Sequence, residues 1–64
     1  MQRPGSAAVA YEDAMLRRDA RAMARAAARL TRKTITEESI RELNAQLGIE
    51  ADDETVSAVV RAAR

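Results

Sequence analysis

The sequence predicts an all-α chain: one long N-terminal helix (about 7–31) followed by a short helical hairpin (about 37–47 and 53–63). Three observations carry this. Of 64 residues, fifteen are alanine and ten are arginine, both strong helix formers, and no stretch alternates apolar and polar residues as a strand would. Residues 7–31 contain neither glycine nor proline. The one glycine beyond residue 5, Gly48, stands where a helix end is expected, because only glycine adopts the left-handed cap without steric cost.

The elements follow in order. Residues 1–5, Met-Gln-Arg-Pro-Gly, read as a flexible tail, and Ser6 as the cap of the long helix. Residues 6–64 then form a single helical domain, the most this length allows. Along the long helix Val9, Leu16, Met23 and Leu30 recur every seven residues, with Ala20 and Ala27 between them. At 100° per residue these six form one narrow stripe, a candidate helix-pairing seam of coiled-coil type whose small residues permit close approach. The same stripe equally suits packing on the chain's own hairpin. Thr34 and Glu37 have the spacing of a capping box, and Thr36 is the alternative cap of the second helix. That helix ends at Leu47, with Gly48 and Ile49 closing it. Asp52 or Asp53 caps the third. Ile40, Leu43 and Leu47 share one face of the second helix and Val56, Val59 and Val60 one face of the third, which makes them the hairpin's expected core.

Composition excludes several functions. The chain has no cysteine and no histidine, hence no zinc site of the usual kind, no disulfide and no redox centre. The commonest general base and the best nucleophile are both missing, and so short a helical scaffold has little room for a deep, dry pocket. A non-enzymatic protein without cofactor or metal is expected. The acidic run at 50–54 lacks the spacing and glycine of a calcium loop and reads as the charged cap of the third helix. No apolar run is long enough to span a membrane or form a signal-peptide core. The acids Glu12, Asp13 and Asp19 argue against an organelle transit peptide, so a cytoplasmic location is expected.

Charge is the other informative feature. The net charge is only +1, yet residues 17–33 carry seven basic groups against Asp19 alone. Residues 34–60 carry seven acids against Arg41. Arg17, Arg21, Arg25, Arg29 and Lys33 are spaced four apart, with Arg18 and Arg32 flanking them, on the side of the long helix opposite the seam. Like charges four apart on a helix cost about 0.2–0.5 kcal/mol per pair, so this ladder calls for a negative partner. That partner could be the chain's own acids or those of another copy, unless the row is simply a solvated face. It could also be nucleic-acid phosphate, or an acidic protein. A membrane surface fits poorly, because the opposite face lacks Trp, Phe and dense Leu.

The stretch Ile35 to Ala63, ITEESIRELNAQLGIEADDETVSAVVRAA, resembles the N-terminal helical dimerisation domain of the archaeal and eukaryotic acidic ribosomal stalk proteins. The shared pattern is an Ile-Thr-Glu-Glu start, a short helix, a glycine with a β-branched residue, an acidic turn and a Val-rich helix. The resemblance implies a small helical dimer in which Ile40, Leu43, Leu47, Val56, Val59 and Val60 serve packing or dimerisation. The Arg-rich preceding helix departs from that family. Arg32-Lys33-Thr34, followed by Ile35, Glu38 and Ile40, is similar to the loop and last helix of a histone fold, which implies phosphate contact. The run Ile40–Leu43–Leu47–Gly48–Ile49 with Thr55-Val56-Ser57 resembles a regulator's helix-turn-helix, with a turn two residues longer than the tight form.

The functional expectation is a small helical protein–protein interaction module: an adaptor, assembly factor or inhibitor-type partner that self-associates. The alternative is a small DNA- or RNA-binding regulator that uses the arginine ladder.

Overall fold

A computed structural model describes residues 6–64, with Ser6 described in its backbone only. The expected tail at 1–5 and the expected capping hydroxyl of Ser6 lie outside the described residues. The described chain is all helix: α1 (Ser6–Leu16), α2 (Ala20–Thr31), α3 (Glu37–Leu47) and α4 (Asp53–Ala63).

The expected long helix is two helices. Arg18 adopts the left-handed conformation, with φ of 58°, and the turn there is a complete Schellman motif. The Arg18 amide donates to the Met15 carbonyl at 3.0 Å, and the Asp19 amide to the Ala14 carbonyl at 2.9 Å. Asp19 then opens α2 as its N-cap, its carboxylate accepting from the Ala22 amide at 3.1 Å. The break therefore satisfies the carbonyls it frees on one side and an amide on the other. Neither glycine nor proline is needed for it.

The break also decides which face of α1 is inside. Tyr11 and Ala14 are buried, whereas Val9 is 51% and Leu16 80% exposed. Tyr11 lies roughly 140–160° round the helix from Val9 and Leu16, so α1 turns the opposite side to the core from the one the seven-residue spacing picks out. In α2 the spacing does find the inner face: Met23, Ala24, Ala26 and Ala27 are buried, and Leu30 packs partly against them. No continuous seam from Val9 to Leu30 exists, because the two halves of the stripe sit on different helices and face different ways.

The second half of the chain keeps its expected bounds. α3 is capped by Thr36, whose hydroxyl accepts from the Ser39 amide at 3.1 Å, while the Ser39 hydroxyl accepts from the Thr36 amide at 2.9 Å. The capping box is thus Thr36 with Ser39 rather than Thr34 with Glu37. At the other end Gly48, φ 70°, closes a second Schellman motif, its amide reaching Ala45 and that of Ile49 reaching Asn44 at 2.8 Å. Asp52 caps α4 through the Thr55 amide at 2.9 Å.

All four helices feed one core. α2 packs against α1, α3 and α4, and α3 against α4. Tyr11, Met23, Ile40, Val56 and Val59 are the largest fully buried side chains, and Leu43 is nearly so. Leu47 and Val60 lie at the edge of the same cluster. The hairpin core is therefore a core shared with α1 and α2.

Candidate functional site

Three surfaces result. The first is the outer side of α2. With Met23, Ala24, Ala26 and Ala27 turned inward, Arg21, Arg25 and Arg29 are exposed, as are Arg32 and Lys33 just past the helix end. The break removes the lower rungs of the expected ladder. Arg17 belongs to the end of α1 and pairs with Asp13 at 3.2 Å. Arg18, exposed at the left-handed turn, lines the same groove as Asp52. Lys33 follows the left-handed Arg32 and continues no helical row, its amide donating to the Thr31 hydroxyl at 3.1 Å. What remains in register is Arg21, Arg25 and Arg29, with Arg32 close behind.

The acids of the second half form no ion pair with this face among the described residues. Among the described residues the ion pairs are Arg17 with Asp13, and Arg41 with both Glu37 (3.4 Å) and Asp53 (3.3 Å). Arg41 thus bridges α3 to the start of α4. None of these pairs involves Arg21, Arg25, Arg29, Arg32 or Lys33.

The second surface is the outer side of α1. Leu16 and Val9, two turns apart, are the large apolar residues most open to water among those described. Glu12 and Asp13 flank them.

The third is an open groove of about 1070 Å³ between the α1–α2 turn and the α3–α4 turn. Met15, Met23, Ile49 and Asn44 line it, together with Arg18, Arg41 and Asp52. Asn44, only 6% exposed, accepts a 2.6 Å hydrogen bond from the buried Tyr11 hydroxyl and so ties α1 to α3. Burial raises the Tyr11 pKa above 10.0, since the apolar surroundings disfavour a phenolate. Asp52 is held below the usual carboxylate range by hydrogen bonds from Thr55 and, further off, by the Arg18 charge. The residues facing the groove carry mixed charge, and among the described residues no cluster of acids is placed to hold a metal ion.

No family model, curated protein or solved structure matches the chain. Its function must be argued from these surfaces. The Tyr11–Asn44 pair escaped the sequence reading, although one signal was present. Asn44 is a polar residue four beyond Ile40, on the apolar face of α3, and a buried amide there needs a partner. Nothing local pointed to the groove, which forms only because two turns distant in sequence meet.

Proposed function

We propose that this chain is a small non-enzymatic interaction module of the cytoplasm that self-associates through the outer side of α1. The observation that carries the reading is the 80% exposure of Leu16 together with the 51% exposure of Val9. A helix whose other side already lies in the core, yet which keeps large apolar residues outside, is suited to burial on both sides. α1 is such a helix: Tyr11 and Ala14 face inward, Val9 and Leu16 outward. The dimer implied by the stalk-domain resemblance would instead have used residues such as Ile40, Val56 and Val59. These are filled into the chain's own core, which moves the pairing surface to α1.

Covering the exposed parts of Val9 and Leu16 contributes roughly 2–4 kcal/mol per copy, from about 1.5–3 kcal/mol for each side chain fully buried. Two copies supply roughly 4–8 kcal/mol against an association cost estimated at about 4–15 kcal/mol. The assembly is therefore weak and depends on concentration. When two copies of α1 pair in opposite directions, Val9 of one meets Leu16 of the other. Glu12 of one copy then lies opposite Asp13 of the other, so added salt strengthens the pair. Sedimentation equilibrium of the purified chain over a range of concentration and salt tests this. The parent is expected to shift from monomer towards dimer, while Leu16→Ser stays monomeric with unchanged circular dichroism. A parent chain that is monomeric at every concentration overturns the reading.

A further inference from the structure

We infer that the outer side of α2 is a docking surface for the phosphate backbone of duplex DNA, with Arg21, Arg25, Arg29 and Arg32 as its contacts. The inference does not rest on self-association, which uses another helix.

Four observations converge. The first is spacing. Arg21, Arg25 and Arg29 follow each other at one helical turn plus a fraction, about 6 Å of axial rise per step. With α2 anchored by four buried residues on its inner side, these three side chains are held on one exposed row. The left-handed Arg32 ends the helix and adds a fourth guanidinium at the same end.

The second is the lack of an internal counter-charge. The chain has ten acids, and among the described residues the ion pairs are formed with Arg17 and Arg41 only. Residues 20–33 contain no acid at all. The row therefore keeps its field, and a field of one sign along a rod is what attracts a polyanion.

The third observation selects duplex over single strand and over lipid. Single-strand binders stack bases on aromatic side chains, and the single aromatic residue here, Tyr11, is fully buried. Lipid surfaces need bulky apolar residues beside the charges, and Ala28 is the one exposed apolar residue between the arginines of α2. Duplex DNA asks for neither. It offers one negative charge per about 1.7 Å of axis to guanidinium groups alone.

The fourth concerns specificity. The exposed row holds no Asn, Gln or Ser to read an adenine edge, so base contact is limited to arginine on guanine and the phosphate backbone is the main target.

The test is fluorescence anisotropy of the full chain with a labelled mixed-sequence duplex of about 20 base pairs, titrated between ~50 and ~200 mM salt. Four phosphate contacts give a slope of log K against log salt of about −3.6, a loss of roughly 150-fold across that range. In Arg21→Gln/Arg25→Gln, two contacts remain, and the slope is expected to fall to about −1.8, a loss of only about 12-fold. Gln is itself a good helix former, and circular dichroism shows whether the variant keeps its fold. Arg61→Gln, on α4, is expected to leave the slope unchanged. Binding that is undetectable at ~50 mM salt overturns the proposal. So does a slope that the double variant leaves intact, or tighter binding to an oligothymidine strand or to phosphatidylserine vesicles than to the duplex.

Discussion

Replacing Asp19 by alanine tests the break in the N-terminal half, because the two possible architectures predict opposite signs. In a continuous helix running through residue 19, alanine is the better helix former, and Asp19→Ala would stabilise by up to about 0.7 kcal/mol. In the structure Asp19 is the N-cap of α2, with a carboxylate oxygen 3.1 Å from the Ala22 amide. Removing that acceptor leaves an amide of the first turn without its side-chain partner and costs about 1 kcal/mol, within a range of about 0.5–2. For a chain of this size the loss lowers the melting temperature by roughly 4–8 °C. Asp19→Asn separates capping from charge. Asparagine caps as well as aspartate, so its melting temperature should stay close to the parent's, whereas a purely electrostatic role for Asp19 would make both variants equally destabilised. Thermal unfolding followed by circular dichroism suffices as the assay. A rise in stability for Asp19→Ala would refute the two-helix account of residues 6–31, and with it the separation of Val9 and Leu16 from the core.

Two further outcomes follow. Tyr11→Phe removes the 2.6 Å bond to Asn44 and is expected to cost about 1–2 kcal/mol, the open groove letting water reach the orphaned amide; urea unfolding of the variant checks this. Its pH signature has a fixed sign. The folded pKa of Tyr11 is raised above 10.0, so its contribution is complete below pH 10.0 and is lost as pH rises through the folded value. Melting curves of Tyr11→Phe should lack that alkaline loss. Gly48→Ala meets no atom within 4 Å of the new Cβ, so its cost is the left-handed backbone alone, about 1 kcal/mol; a loss above about 3 kcal/mol in urea unfolding would mean a steric clash that this geometry lacks.

The ends of α3 and α4 were legible because they are written in local chemistry. Thr36, Gly48 and Asp52 each act within three or four residues of themselves, and a cap needs no tertiary information. The inner faces of α2, α3 and α4 were legible for the related reason that apolar residues there recur at helical spacing. The break at residues 17–19 was not, because its left-handed position is filled by arginine. Arg18 has no special preference for that conformation, and the motif forms only when its neighbours gain from it. Here the gain is tertiary. A straight helix would turn Tyr11 away from Met23, whereas folding back at Arg18 puts both side chains in one core. Asp19, the lone acid among the basic residues from 17 to 33, was the one local trace of this, read as charge rather than as a cap.

The break changes more than helix count, because it sorts the charges as well. On an unbroken helix the basic residues from Arg17 to Lys33 would form a single row, and the seven-residue apolar stripe would lie behind it. Folding at Arg18 cuts both. Arg17 pairs with Asp13, and Arg18 sits at the left-handed turn beside the groove. The apolar stripe divides into an inner part, Met23 and Ala27, and an outer part, Val9 and Leu16. One turn of three residues thus converts a single two-faced helix into two separate exposed surfaces, one apolar and edged by acids, the other a row of arginines. A helix that pairs through one stripe and binds through the opposite one needs both stripes along its whole length. A helical hairpin can place each on its own helix, so the phosphate contact proposed for α2 and the pairing proposed for α1 draw on different side chains.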